Sequence, residues 1–102
     1  MKVDKKIKSQ RSNWRFDKNV AENFDVHVLK SVPFYKISHD LSLKISEFFL
    51  KDKSICYDIG CSNGSLLNKI SKKNKKKINY IGIDSSQAMI DIAKKNFPKI
   101  KF

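Results

Sequence analysis

The sequence predicts an α/β protein whose sheet is parallel and built from crossover units. Two short apolar runs bounded by turn residues, "SICYDIG" and "INYIGID", read as strands, the first at Ile55–Ile59 and buried, the second ending at Asp84. Each is followed by a segment with helical spacing, "SLLNKISKK" and "SQAMIDIAKKNF". Strand-helix alternation of this kind implies a parallel sheet covered on both faces. The expected order is therefore two N-terminal helices and then β-α-β-α, with "PKIKF" approaching a third strand.

Residues 1–13 are polar, basic and unpatterned, and read as a flexible basic arm. From Asn13 the spacing of Trp14, Phe16, Val20, Phe24, Val28 and Leu29 predicts a helix over about 17–30, with Trp14 and Phe16 packing it against the sheet. Pro33 interrupts it, because a proline disfavours helix at the preceding residue and supplies no donor. A second helix is expected from Lys36 to Leu50, with Ile37, Leu41, Ile45, Phe48 and Phe49 on one face. In the later helices Leu66, Leu67 and Ile70, then Ala88, Met89, Ile92 and Ala93, are the inward-facing positions, and Ser85 or Ser86 caps the last helix. Two parallel strands do not make a free-standing sheet of this type. Residues 14–102 are thus expected to be the N-terminal part of a larger domain, incomplete as it stands, or a truncated copy.

Composition narrows the class. With 102 residues, 40% hydrophobic and 11% aromatic, the chain is one globular domain at most. No run is apolar enough to span a bilayer and the start lacks an apolar signal region, so a cytoplasmic protein without membrane contact is expected. The net charge of +12 comes from 20 lysines and only two arginines. That balance fits compositional bias with solvated lysines, or else an anionic partner. Cys56 and Cys61 show no metal-ligand spacing; two reduced thiols and no metal are expected.

The stretch "GCSNG", Gly60 to Gly64, has two readings. It spells G-x-S-x-G, the turn that exposes a nucleophilic serine in α/β-hydrolases. That turn needs strands before it and an acid and a histidine after it, whereas residues 1–54 read as helical and both histidines, His27 and His39, lie upstream. The other reading is a tight turn after the first strand whose backbone N–H groups approach a ligand at a helix N-terminus. Asp84 lies 20 residues beyond Gly64 at the end of the second strand, and an acid about 20 residues on is placed to accept ribose hydroxyls. The dinucleotide fingerprint itself fits poorly, since its later glycines would fall on Ser62 and Ser65. An adenosine is implied without a pyrophosphate.

"YDIGCSNGSLL" followed by "YIGIDSSQAMIDIAKKN" resembles motifs I and II of class I S-adenosyl-L-methionine-dependent methyltransferases, which have a Rossmann-like fold. Asp58, Gly60, Gly64 and Asp84 agree in order and context, while Ser62 replaces the usual middle glycine. That serine, "IDSSQAMI" and the upstream "FDKNVAENFDVHVLKSVPFY" together resemble a narrower family, the carboxy-S-adenosyl-L-methionine synthases. The resemblance covers about Asn13 to Asn96. It implies transfer of a prephenate-derived carboxyl unit to the sulfonium methyl of S-adenosyl-L-methionine, with carboxy-S-adenosyl-L-methionine passed to an enzyme of tRNA wobble-uridine modification. A homodimer is implied; direct tRNA contact is not required.

By the same resemblance Tyr35 contacts the carboxylated end of the cofactor, Gly60, Cys61 and Ser62 line it, and Asp84 with Ser85 binds the ribose and adenine edges. Asp58 and Gly64 complete the cofactor-binding set. Neither Arg11 nor Arg15 matches the carboxylate-recognising arginine of the family, and no catalytic residue is assigned. Read as residues alone, Tyr35 is an ordinary half-buried aromatic after a proline turn, Cys61 a small residue whose N–H matters more than its thiol, and Asp58 equally a support for the loop backbone or a ligand contact. His27 and His39 read as exposed or helix-face residues. An ordinary methyltransferase acting on tRNA or a small molecule, and a non-catalytic remnant, are the rival readings.

Overall fold

A computed structural model describes residues 18–102; the expected arm, Trp14 and Phe16 lie outside the described residues. The elements are α1 (Lys18–Glu22), α2 (Phe24–Ser31), α3 (Tyr35–Phe49), β1 (Ile55–Ile59), α4 (Ser65–Lys73), β2 (Asn79–Ile83) and α5 (Gln87–Asn96).

The single helix expected over 17–30 is two helices, broken at Asn23. Its side-chain amide donates to the Asn19 carbonyl at 2.9 Å, a local bond that competes with the helical ladder. Val32 is extended (φ −110°, ψ 112°), as the residue before Pro33 must be. Phe34 then adopts a left-handed φ of 60°, and α3 begins at Tyr35, one residue earlier than expected.

β1 and β2 pair in parallel, with Ile55 opposite Asn79 and Asp58 opposite Gly82. The expected third strand is present as a parallel bridge between Ile81 and Lys101 on the other side of β2, where the Gly82 N–H donates to the Lys101 carbonyl at 2.8 Å. Among the described residues β2 is therefore central and β1 has an unpaired edge. This corrects the expectation that β1 is buried: Ile55, Tyr57 and Ile59 are 52%, 57% and 81% exposed, because no described element covers that face. The apolar stripe of α3 is likewise exposed at Ile37, Leu41, Ile45, Phe48 and Phe49.

The core lies where α1 and α2 meet α5, and consists of Val20, Ala21, Phe24, Val28 and Met89, with Tyr35, Ala88 and Ile92 packed against it. Met89 and Leu67 are fully buried, each stabilising the fold by about 1.5–3 kcal/mol relative to an exposed side chain. The inward positions read from the α4 and α5 patterns hold for Leu67, Ile70, Met89 and Ala93, with Ile90 buried in addition. Phe102 closes the far side of β2. A Cβ on Gly82 would come within 2.5 Å of its ring and 2.9 Å of the Cys61 sulfur, so only glycine fits there.

Candidate functional site

Because β1 and β2 are parallel, the residues that follow them, Gly60 and Asp84, emerge at the same edge of the sheet. The carboxyl ends of parallel strands are where open α/β sheets bind ligands. The β1–α4 turn is a run of left-handed residues, with φ of 80° at Gly60, 54° at Ser62 and 81° at Gly64. A Cβ on Gly60 would meet nothing within 4 Å, so that face of the turn is open; on Gly64 it would strike the Phe102 ring at 2.6 Å.

The turn is held by its own hydrogen bonds. Gly60 and Cys61 N–H both donate to the Ile83 carbonyl at 2.7 and 2.9 Å, and Gly64 N–H to the Cys61 carbonyl at 2.9 Å. Ser62 N–H donates to Asp84 Oδ2 at 2.9 Å and Ser65 N–H to Asn63 Oδ1 at 3.2 Å. This corrects the expectation that loop N–H groups, that of Cys61 included, reach for a ligand. Those of Gly60, Cys61 and Ser62 pin the loop to the end of β2, and those of Gly64 and Ser65 bond within the turn.

Asp84 is the hub of this arrangement. Its Oδ1 accepts the Ser86 N–H at 2.8 Å, and Ser86 in turn caps α5 by accepting the Met89 N–H at 3.3 Å. Ser86 rather than Ser85 is therefore the cap; Ser85 stands exposed between them. A carboxylate has about four lone-pair positions, so two remain for hydroxyl donors of a ligand.

Asp58, near the end of β1, is partly buried and feels the Asp84 charge. Burial, reinforced by the Asp84 charge, pushes its carboxyl above the usual range. Burial and then Asp58 and Asp84 push the Cys61 thiol up to about 11, so it stays protonated and is no nucleophile at neutral pH. The Tyr35 hydroxyl is also pushed up, chiefly by burial, against the lowering effect of Ser65, with Asp25 and Asp58 adding to the rise; its oxygen lies 3.4 Å from Ser65 Oγ. The Asp58 charge thus bears on both Tyr35 and Cys61, and the Asp84 charge on Asp58 and Cys61. In a chain of net charge +12, the ends of β1 and β2 carry two carboxylates, Asp58 and Asp84. These acceptors suit a ligand that carries a cation and vicinal hydroxyls.

Two residues absent from the expected set complete it. Asn63, 5% exposed, donates from Nδ2 to Asp25 Oδ1 at 2.8 Å, tying α2 to the turn. An Asn-Gly-Ser turn, in which an Asn side chain typically accepts an N–H two residues on, is a sequence signal that would have found Asn63. Asp25 has no local signal, because its partner is 38 residues away. Of the two readings of His39, exposed or helix-face, the first fails: it lies on α3 and is 7% exposed, with its Nδ1 3.0 Å from Lys69 Nζ and its ring 4.2 Å from that of Tyr35. It is committed to those groups rather than to Ser62.

A glycine-rich turn at the end of the first parallel strand and an acid at the end of the second define the class I S-adenosyl-L-methionine-dependent methyltransferase fold. The family described as "Methyltransferase domain" matches residues 56–102. A protein from Methanococcus maripaludis assigned as an S-adenosyl-L-methionine-dependent methyltransferase superposes with a TM-score of 0.60 at 25% identity, over 92% of this chain and 44% of that one. DesVI of Streptomyces venezuelae shares the fold with a TM-score of 0.58 at 19% identity, over 86% of this chain and 35% of that one. By sequence the chain is similar to carboxy-S-adenosyl-L-methionine synthases. It is 43% identical to that of Sulfurimonas denitrificans over 92% of this chain and 40% of the relative, and 44% identical to that of Staphylococcus epidermidis over 78% and 36%. The chain thus spans about two fifths of the length of these curated relatives.

Proposed function

We propose that the site at the ends of β1 and β2 binds S-adenosyl-L-methionine or its carboxylated form, and that the chain contributes the cofactor half of a carboxy-S-adenosyl-L-methionine synthase acting on prephenate. The observation that carries this reading is the Asp84 carboxylate, fixed by Ser62 and Ser86 at the strand ends with two lone-pair positions left for ribose hydroxyls. The similarity to synthases over nearly the whole chain supports the narrower activity.

When bound, the cofactor supplies an activated methyl on a sulfonium. The chain's own residues bind and orient it. Asp84 accepts the ribose hydroxyls, with the exposed Ser85 beside it. Asp58 lies near the methionine end, where its charge complements the ammonium and sulfonium. The open face of Gly60 lets the ligand approach the backbone closely, with Cys61, Ser62 and Gly64 shaping the turn. Tyr35, kept as a neutral phenol, faces the reacting end of the site and can donate one hydrogen bond to a carboxylate there.

The homodimer, the prephenate contacts and the delivery of product toward tRNA modification belong to this same reading of the longer protein. Mass spectrometry of small molecules released from the purified, denatured chain tests it. Carboxy-S-adenosyl-L-methionine supports the synthase reading; S-adenosyl-L-methionine alone redirects it to an ordinary methyltransferase.

A further inference from the structure

We infer that His39 is a positioning residue for Tyr35, holding the phenol ring at that site only while its imidazole is neutral. The inference rests on the reading of Tyr35 as a cofactor-facing residue. Tyr35 and His39 stand one turn apart on α3, ring centroids 4.2 Å apart and tilted by 48°. His39 is buried, whereas the other end of the contact, the Tyr35 hydroxyl, reaches Ser65 on α4. Tyr35 is therefore held at its ring by His39 and at its tip by the first residue of the helix that follows the glycine turn.

The protonation state of His39 is constrained by what surrounds it. Lys69 of α4 presents its ammonium to Nδ1 at 3.0 Å, and an ammonium has donors only, so Nδ1 must be the acceptor and Nε2 carries the proton. A second proton would oppose two donors and two positive charges across that distance. Asp25 of α2 and Asp40 of α3 favour the charged ring, but burial first and Lys69 second outweigh them, and the imidazole titrates below its ordinary range. Once charged, the ring is driven toward solvent and the Tyr35 ring loses its packing neighbour.

The expected consequence is a pH-dependent Tyr35. In the full chain carrying labelled tyrosine, the Tyr35 ring resonances should follow one titration below the ordinary histidine range. In His39→Phe, which keeps a ring but binds no proton, that titration should vanish. In Lys69→Met, a substitution at an exposed position, it should move to higher pH. Affinity for S-adenosyl-L-methionine, measured in parallel by calorimetry, should fall about tenfold per pH unit below the His39 titration in the wild type, relative to His39→Phe. Titration of Asp58 is common to both proteins and cancels in that ratio. Tyr35 resonances that ignore His39 titration, or affinity profiles that run parallel in wild type and His39→Phe, overturn the inference. A Tyr35 ring that follows His39 in a chain with no affinity for S-adenosyl-L-methionine at any pH upholds the coupling and removes the cofactor reading instead.

Discussion

The Ser62 N–H and the Asp84 carboxylate meet at 2.9 Å across 22 residues of sequence, and this bond turns two neighbouring strand ends into one site. It fixes the glycine turn and aims the acid at the same time. A second bond, from Ser86 N–H at 2.8 Å, makes the carboxylate rigid from the α5 side.

Asp84→Ala removes both acceptors. Each hydrogen bond to a charged group contributes about 1.5–3 kcal/mol when buried, and this one is partly solvated, so urea unfolding should show a loss of about 2 kcal/mol. Asp84→Asn keeps one carbonyl acceptor and should lose less.

The two glycines of the turn should respond differently to alanine. At Gly60 the new Cβ meets only open space, so the cost is the left-handed φ, about 1–2 kcal/mol, together with a loss of ligand affinity. At Gly64 the same backbone cost is joined by collision with Phe102, adding about 1–3 kcal/mol. Denaturant midpoints of the two variants, compared at unchanged m-value, check the order.

Asn63 and Asp25 should be coupled. A double-mutant cycle with Asn63→Ala and Asp25→Ala is expected to give an interaction energy of about 1–2 kcal/mol, since Asp25→Ala leaves the buried Asn63 amide unpaired and Asn63→Ala removes the donor to the carboxylate.

Asp58 should act against stability. Its carboxyl titrates above the usual range in the folded chain, so the native state holds the proton more tightly than the unfolded one. Stability therefore falls as pH rises from the unfolded pKa, near 3.8, through the raised native value. Asp58→Asn should be more stable than the wild type at pH 7 and lose that advantage in acid, while binding S-adenosyl-L-methionine more weakly. Equal stability of the two proteins across pH 4–8 counts against this.

Much of this was legible in the chain itself, for reasons that can be named. Strand-helix alternation and the 20-residue step from Gly64 to Asp84 are local or periodic features, so the element order and the position of Asp84 are readable without coordinates of any partner. The internal use of the Gly60 and Cys61 N–H groups is not, because it depends on where the Ile83 carbonyl falls in the register of two distant strands. The break at Asn23 was hidden by an apolar spacing that continues through it at Val20, Phe24 and Val28. The exposed stripe of α3 and the open face of β1 carry the signature of burial, yet no described element covers them. Periodicity reports which face is apolar, and only the neighbouring elements decide whether it is covered.

The most direct test of the central claim is a calorimetric titration of S-adenosyl-L-methionine into the wild-type chain and into folded Asp84→Ala at pH 7.5. The account predicts saturable binding at one site, weakened about 100-fold or more in the variant, the loss expected when hydroxyls forfeit a charged acceptor. Equal affinity in the two proteins, or none in a folded wild type, would contradict it.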